Sequence, residues 1–168
     1  MISKPFEQIV TGECTSTDRR TITEDYVRQF ADLTWDRHPL HLDPDYAAKT
    51  RFGRQIAHGA LMISTLLGLV ELHPSYLQCF YGLDKLRFMA PAYIGDTVHA
   101  ATTIASVKPR ADGASAVVTA QVELLNEEDQ ALLAGEFSML VAGAAQAMDD
   151  PRPAPEQNST QQSSDVAP

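Results

Sequence analysis

Two hydrophobic periods divide the chain. In "TEDYVRQFADLT", residues 23 to 34, the apolar positions Tyr26, Val27, Phe30 and Leu33 recur at helical spacing and predict a helix with one buried face. Thr23 is placed to cap it, and Glu24 and Asp25 sit in the first turn, where the helix dipole favours negative charge. "PDYAAK", residues 44 to 49, predicts a short helix with Pro44 at its first position. "IAHGALMISTLLGLVEL", residues 56 to 72, is apolar nearly all round, which predicts a helix buried on most sides. Beyond it the period falls to two. Residues 78–91, 97–109, 115–126 and 131–143 read as four long strands, separated by the turn segments "YIGD", "RADG" and "EEDQ". Residues 8–20 form a weaker strand candidate. The pattern predicts an α+β domain in which an antiparallel meander wraps one apolar helix.

The end of the chain differs. "DDPRPAPEQNSTQQSSDVAP" holds four of the ten prolines and no aromatic residue. It cannot bury enough apolar surface to offset the entropy of ordering, so residues 1–147 are expected to fold and residues 148–168 to form a disordered tail.

Composition narrows the function. A hydrophobic fraction of 44% supports one core, and a net charge of −9 argues against a nucleic-acid or anionic membrane surface. Two cysteines without a CxxC pair give no disulfide framework, and a cytoplasmic location is expected. The opening "MISKPFEQIV" lacks the apolar stretch of a secretory leader, and the apolar run at residues 60–70 is too short to span a bilayer.

The candidate chemistry lies in "LTWDRHPLHLDPDYAAK", residues 33–49. Asp36, His38, His41, Asp43 and Asp45 crowd around Pro39 and Pro44. Five residues apart on a helix, Asp36 and His41 would face directions about 140° apart, so they converge only if the backbone leaves the helix between them. Pro39 is expected to force that break and to hold His38 extended. A polar turn capped by Asp43 and a metal site of Asp36, His38, His41 and Asp43 are the competing readings; an HxxH in a loop without cysteine is a weak metal signal, and no metal is expected. Downstream, "AHGA" opens the apolar helix. The first-turn N–H groups there have no intrahelical partner, and Gly59 lets an acceptor oxygen come close.

The residues "FADLTWDRHPLHLDPDYAAKTRFGRQIAHGALMIS", 30–64, resemble the hydratase motif of MaoC-like (R)-specific enoyl-CoA hydratases and dehydratases, and "YGLDKLRFMAPAYIGDTV", 81–98, continues the likeness more loosely. The resemblance implies a single hot-dog domain, a long antiparallel sheet around a central helix. It implies hydration or dehydration of an acyl thioester carried by CoA or acyl carrier protein, without a cofactor. Asp36 and His41 would be the catalytic dyad and Gly59 the backbone donor to the thioester carbonyl. Trp35, His38 and His58 are candidates for substrate contact, with His58 also placed to orient the helix start. Arg51, Arg54, Lys85 and Arg87 are candidates for carrier phosphates. A homodimer or higher homo-oligomer is implied, with the acyl tunnel at the subunit interface. The chain departs from the family pattern at His38, where Asn is usual, and at Leu67, where some members carry Ser; Ser64 lies one turn earlier. These departures keep open a non-catalytic partner subunit. A hot-dog thioesterase is disfavoured, because the central helix carries no carboxylate.

Overall fold

The computed structural model describes residues 1–151. Helix α1 spans Glu24–Thr34, and the Thr23 hydroxyl accepts from the Tyr26 N–H at 3.1 Å, as its cap position requires. The helix ends earlier than Pro39 would impose. Trp35 adopts the left-handed conformation (φ 65°), and its N–H donates to the Ala31 carbonyl at 2.8 Å. This conformation costs a bulky L-residue about 1–2 kcal/mol. Pro39 does not break a helix. It starts one, at the first position of the single-turn helix α2, Pro39–Leu42. Pro44 starts helix α3, Pro44–Ala47, and the Asp43 carboxylate caps it by accepting from Asp45 and Tyr46. Helix α4 is Gly59–Leu69, preceded by His58.

Strands β1 (Cys14–Ser16) and β2 (Arg20–Thr21) fall within the weak candidate region. Strands β3 (Leu77–Phe88), β4 (Thr97–Pro109), β5 (Ser115–Leu125) and β6 (Ala131–Ala142) occupy the four strong ones. All pairing between them is antiparallel. The strand order is β1-β4-β5-β6-β3, with β2 also on β4. The four long strands are therefore not a simple meander. β4, β5 and β6 are; β3 joins the far edge, with Leu83 opposite Phe137 and Phe88 opposite Leu133. The physical reason is that both edges of β4 are taken, by β5 on one side and by β1 and β2 on the other. The segment containing "YIGD" is a crossing and not a hairpin: its Gly95 N–H and Asp96 C=O bond the backbone of Ile22 just beyond β2.

Alternate residues of the sheet turn inward. Ala116, Val118, Ala120, Val122 and Leu124 of β5 are buried, as are Leu133, Phe137, Met139 and Val141 of β6. Helix α4 packs on β4 and β5 and buries Leu61, Met62, Thr65 and Leu66. Each such aliphatic side chain contributes about 1.5–3 kcal/mol. The Tyr26 hydroxyl meets the Thr65 hydroxyl at 3.1 Å and ties α1 to α4. The helix is not covered on every side, however: Ala60, Ser64 and Gly68 are exposed. Leu33 is also exposed, because α1 turns its Val27 and Ala31 side to the core. The domain with its central helix and wrapping sheet is the hot-dog architecture expected. No helix of the described residues is long and apolar enough to cross a membrane. The tail expectation concerns residues that, from 152 onward, lie outside the described ones.

Candidate active site

Three local decisions of the backbone assemble the site. The left-handed Trp35 ends α1 and releases Asp36. The one-turn helix α2 carries His41 back toward the chain before α4. His58, as the residue before α4, brings a buried ring to the same place. One side-chain atom from each of Asp36, His41 and His58 lies within 4.8 Å of the others, and among the described residues they are the one His/Cys/Asp/Glu group so closely set.

Hydrogen bonds fix the tautomers. The His41 Nδ1 is 2.7 Å from the Ile56 carbonyl oxygen, which can only accept, so Nδ1 carries the proton and Nε2 keeps its lone pair. The His58 Nε2 donates to the Asp36 carbonyl at 2.9 Å by the same logic. The His58 Nδ1 is buried and has no hydrogen-bond partner among the described residues. The two rings stack with centroids 3.9 Å apart, and the Gln55 amide donates to the His41 carbonyl at 3.0 Å. His58 is thus a clamp: it holds the Asp36 loop through main-chain contact and backs the His41 ring. The Asp36 carboxylate is exposed and makes no hydrogen bond among the described residues. Burial lowers the His41 pKa below the ordinary imidazole value. The Ile56 carbonyl opposes that shift, the neighbouring His58 adds to it, and the Asp36 charge opposes it again.

A cavity of about 400 Å³ opens beside His41 and Gly59. Phe52, Ile56, Met62, Phe88 and Leu132 give it apolar walls, with Arg51 the one charged lining residue other than His41 itself if protonated. Phe88 lies against the start of α4: a methyl group on Gly59 would stand 2.7 Å from its Cζ. Glycine here lets the ring and the helix start share space. Gly59 opens an 11-residue helix, so its N–H belongs to the unpaired first turn.

Not every expected contact is in the cavity. Trp35 is 83% exposed and neither lines the cavity nor packs on the sheet, because its left-handed backbone turns the indole outward. His58 is 1% exposed and lies behind His41, outside the lining. His38 is exposed and off the lining; its Nδ1 accepts from the Leu40 N–H at 3.2 Å and caps α2. A ring nitrogen thereby does what an Asn side-chain oxygen does at a cap, and His38→Asn is expected to leave melting temperature and turnover near wild type. His38→Ala removes the acceptor, and urea denaturation is expected to report about 1 kcal/mol of lost stability. Leu67 packs half-buried against the core, and the Ser64 hydroxyl donates to the Ala60 carbonyl at 3.1 Å. The metal set Asp36, His38, His41 and Asp43 does not assemble: among the described residues the closely set ligand-type group is Asp36, His41 and His58, and His38 and Asp43 cap helices instead. Sequence reading missed Phe88 and Leu132 as cavity walls. Their contribution depends on the pairing of β3 with β6, which no local signal encodes.

Comparison with known proteins follows the same region. The family described as MaoC like domain matches residues 6–127. Among curated proteins the chain is 35% identical over 133 residues to 3-hydroxyacyl-thioester dehydratase Z of Mycobacterium tuberculosis, covering 75% of this chain and 87% of that one. It is 39% identical over 107 residues to the (R)-specific enoyl-CoA hydratase of Rhodospirillum rubrum, covering 62% and 72%. Against Protein MaoC of Klebsiella aerogenes the identity is 38% over 101 residues, but the chain spans only 30% of that protein's length. Among solved structures, a monoamine oxidase regulatory protein from Archaeoglobus superposes with a TM-score of 0.78 at 36% identity, covering 83% of this chain and 94% of that one.

Proposed function

The chain belongs to the MaoC-like domain family, and from that membership and the site geometry we propose that it catalyses the reversible hydration of a 2-enoyl thioester to an (R)-3-hydroxyacyl thioester. The observation that carries the reading is that His41, with a bare Nε2, shares one cavity with the Gly59 helix start, while the free Asp36 carboxylate stands beside it. In the hydration direction a water held between Asp36 and His41 adds its oxygen to C3. Its proton passes through the pair to C2, and the C2–C3 double bond becomes single. Negative charge that gathers on the thioester oxygen is met by the Gly59 N–H at the positive end of α4. Dehydration runs the same steps backward. The two side chains titrate as a coupled pair, so acid and base roles belong to the pair. The reaction as proposed draws its acid, its base and its oxyanion donor from these groups of the chain itself.

The active form we propose is a homodimer. In support, β3 is paired on one side only, and Phe80, Tyr81 and Leu83 along it are exposed. Free Cys14 and Cys79 are consistent with a reducing, cytoplasmic setting. Relatives named for CoA and for generic thioester substrates leave both CoA and acyl carrier protein as carriers to be compared.

The test is a panel of enoyl thioesters from four carbons upward, on CoA and on acyl carrier protein, followed by loss of the conjugated enoyl absorbance and by product chirality. Conversion to the (R)-3-hydroxyacyl thioester is expected. Release of free thiol, or no conversion of any member, would overturn the reading.

A further inference from the structure

We infer that Arg51 is a substrate-anchoring residue, holding an anionic group at the edge of the active-site cavity. The inference rests on the reading of that cavity as a thioester site. Arg51, Arg54, Lys85 and Arg87 are the cations the sequence offers for such a group, and the structure separates them. The Arg54 guanidinium lies 3.9 Å from an Asp96 carboxylate oxygen and 3.9 Å over the Tyr93 ring. Lys85 pairs with Glu136 at 2.8 Å, and both line a groove that does not include His41. Arg87 donates to the Leu86 carbonyl at 2.7 Å and lines a groove away from His41. Arg51 alone of the four lines the cavity that holds His41 and Gly59.

Arg51 is also the one of the four with no ion pair or hydrogen bond among the described residues. Its guanidinium rests 4.8 Å over the ring of Phe52, another cavity wall. Stacking on an aromatic face orients the planar fork while leaving its five N–H donors free. A chain with a net charge of −9 offers ample carboxylates for pairing, so an unpaired, pre-oriented guanidinium at an otherwise apolar cavity is chemically specific. An acyl thioester can supply its counter-charge from two ends. One is a phosphate of the carrier; the other is a carboxylate at the far end of a dicarboxylic acyl chain. Either accepts a bidentate Arg contact.

Such a contact is made equally in the ground state and the transition state, so its loss raises KM and spares kcat. The experiment compares wild type, Arg51→Gln and Arg51→Lys with three substrates sharing one enoyl chain length: the CoA thioester, the N-acetylcysteamine thioester, which has no phosphate, and the N-acetylcysteamine thioester of a chain ending in carboxylate. For Arg51→Gln we expect KM for the CoA thioester to rise about tenfold or more with kcat within twofold, part of the loss returning in Arg51→Lys, and the plain N-acetylcysteamine thioester unaffected. This pattern assigns the phosphate. A rise confined to the carboxylate-bearing substrate assigns the acyl end and also upholds the inference. Equal KM values for wild type and Arg51→Gln on all three overturn it, as does an effect on kcat alone. If wild type turns over none of them, the enzymatic reading fails. The inference is then judged by calorimetric titration of free CoA and a free dicarboxylate: about tenfold weaker binding of either to Arg51→Gln upholds it, and equal or undetectable binding to both proteins overturns it.

Discussion

Asp36→Asn is expected to lower kcat for enoyl thioester hydration by about 10²–10⁴-fold, the range that a positioned acid–base group supplies, while the thermal transition stays where it is. The second half of that expectation comes from geometry. Among the described residues, the short hydrogen bond of Asp36 is made by its main-chain carbonyl, which accepts from His58 Nε2 at 2.9 Å and is untouched by the substitution. The carboxylate is exposed and bonded to nothing among the described residues. The amide is isosteric but cannot take a proton from water. Steady-state kinetics beside a melting curve decides the matter: turnover within threefold of wild type would remove Asp36 from the chemistry.

His41→Asn is expected to cost kcat a similar factor, about 10²–10⁴. The Asn side-chain nitrogen can take over the bond to the Ile56 carbonyl that Nδ1 makes, so the variant deletes Nε2 and the ring contact with His58 while keeping that bond. The pH profile adds a signature. Nε2 must be unprotonated to accept, so kcat/KM falls as pH falls through the His41 pKa. Burial has lowered that value, which moves the acid limb below the ordinary imidazole range. The negative charge of Asp36 works in the raising direction, so Asp36→Asn should carry the limb of its residual activity further toward acid. Stability follows the same sign. Below the ordinary His value the unfolded chain binds a proton that the folded chain resists, so this group's contribution is present above that value and is lost as pH falls. A wild-type acid limb above the ordinary range, or no shift of the limb in Asp36→Asn, would contradict this electrostatic account.

Features set by neighbouring residues were legible in the sequence. Thr23 and Asp43 cap helix starts through bonds to residues two or three positions away, and Pro44 stands at the first position of α3. The approach of Asp36 to His41 was implied by the resemblance of residues 30–64. Strand existence was likewise legible, because alternation at period two records which side chains face inward. Strand partners were not. Nothing in "QCFYGLDKLRFMAP" states that it pairs with residues 45 or more positions later, as Phe88 does with Leu133, and so the Phe88 wall beside Gly59 emerges only in three dimensions. The end of α1 at Thr34 matches the predicted span, but its cause did not show in the sequence: a bulky residue in left-handed backbone has no composition signal, and Pro39, read as the break, starts α2 instead. His38 shows the reverse case: it departs from the residue usual in the family, yet its Nδ1 supplies the acceptor that the start of α2 needs.

Trp35 carries a consequence beyond its backbone. It is the only tryptophan in the chain, it stands in solvent, and it is bonded directly to Asp36. Its indole emission therefore comes from a single known position beside the loop of Asp36 and His41. Any event that moves that loop or covers its outer face, a bound thioester or a second subunit, changes the polarity around one fluorophore. The protein is in effect labelled at its candidate active site, and binding at that loop can be followed by light without an attached probe.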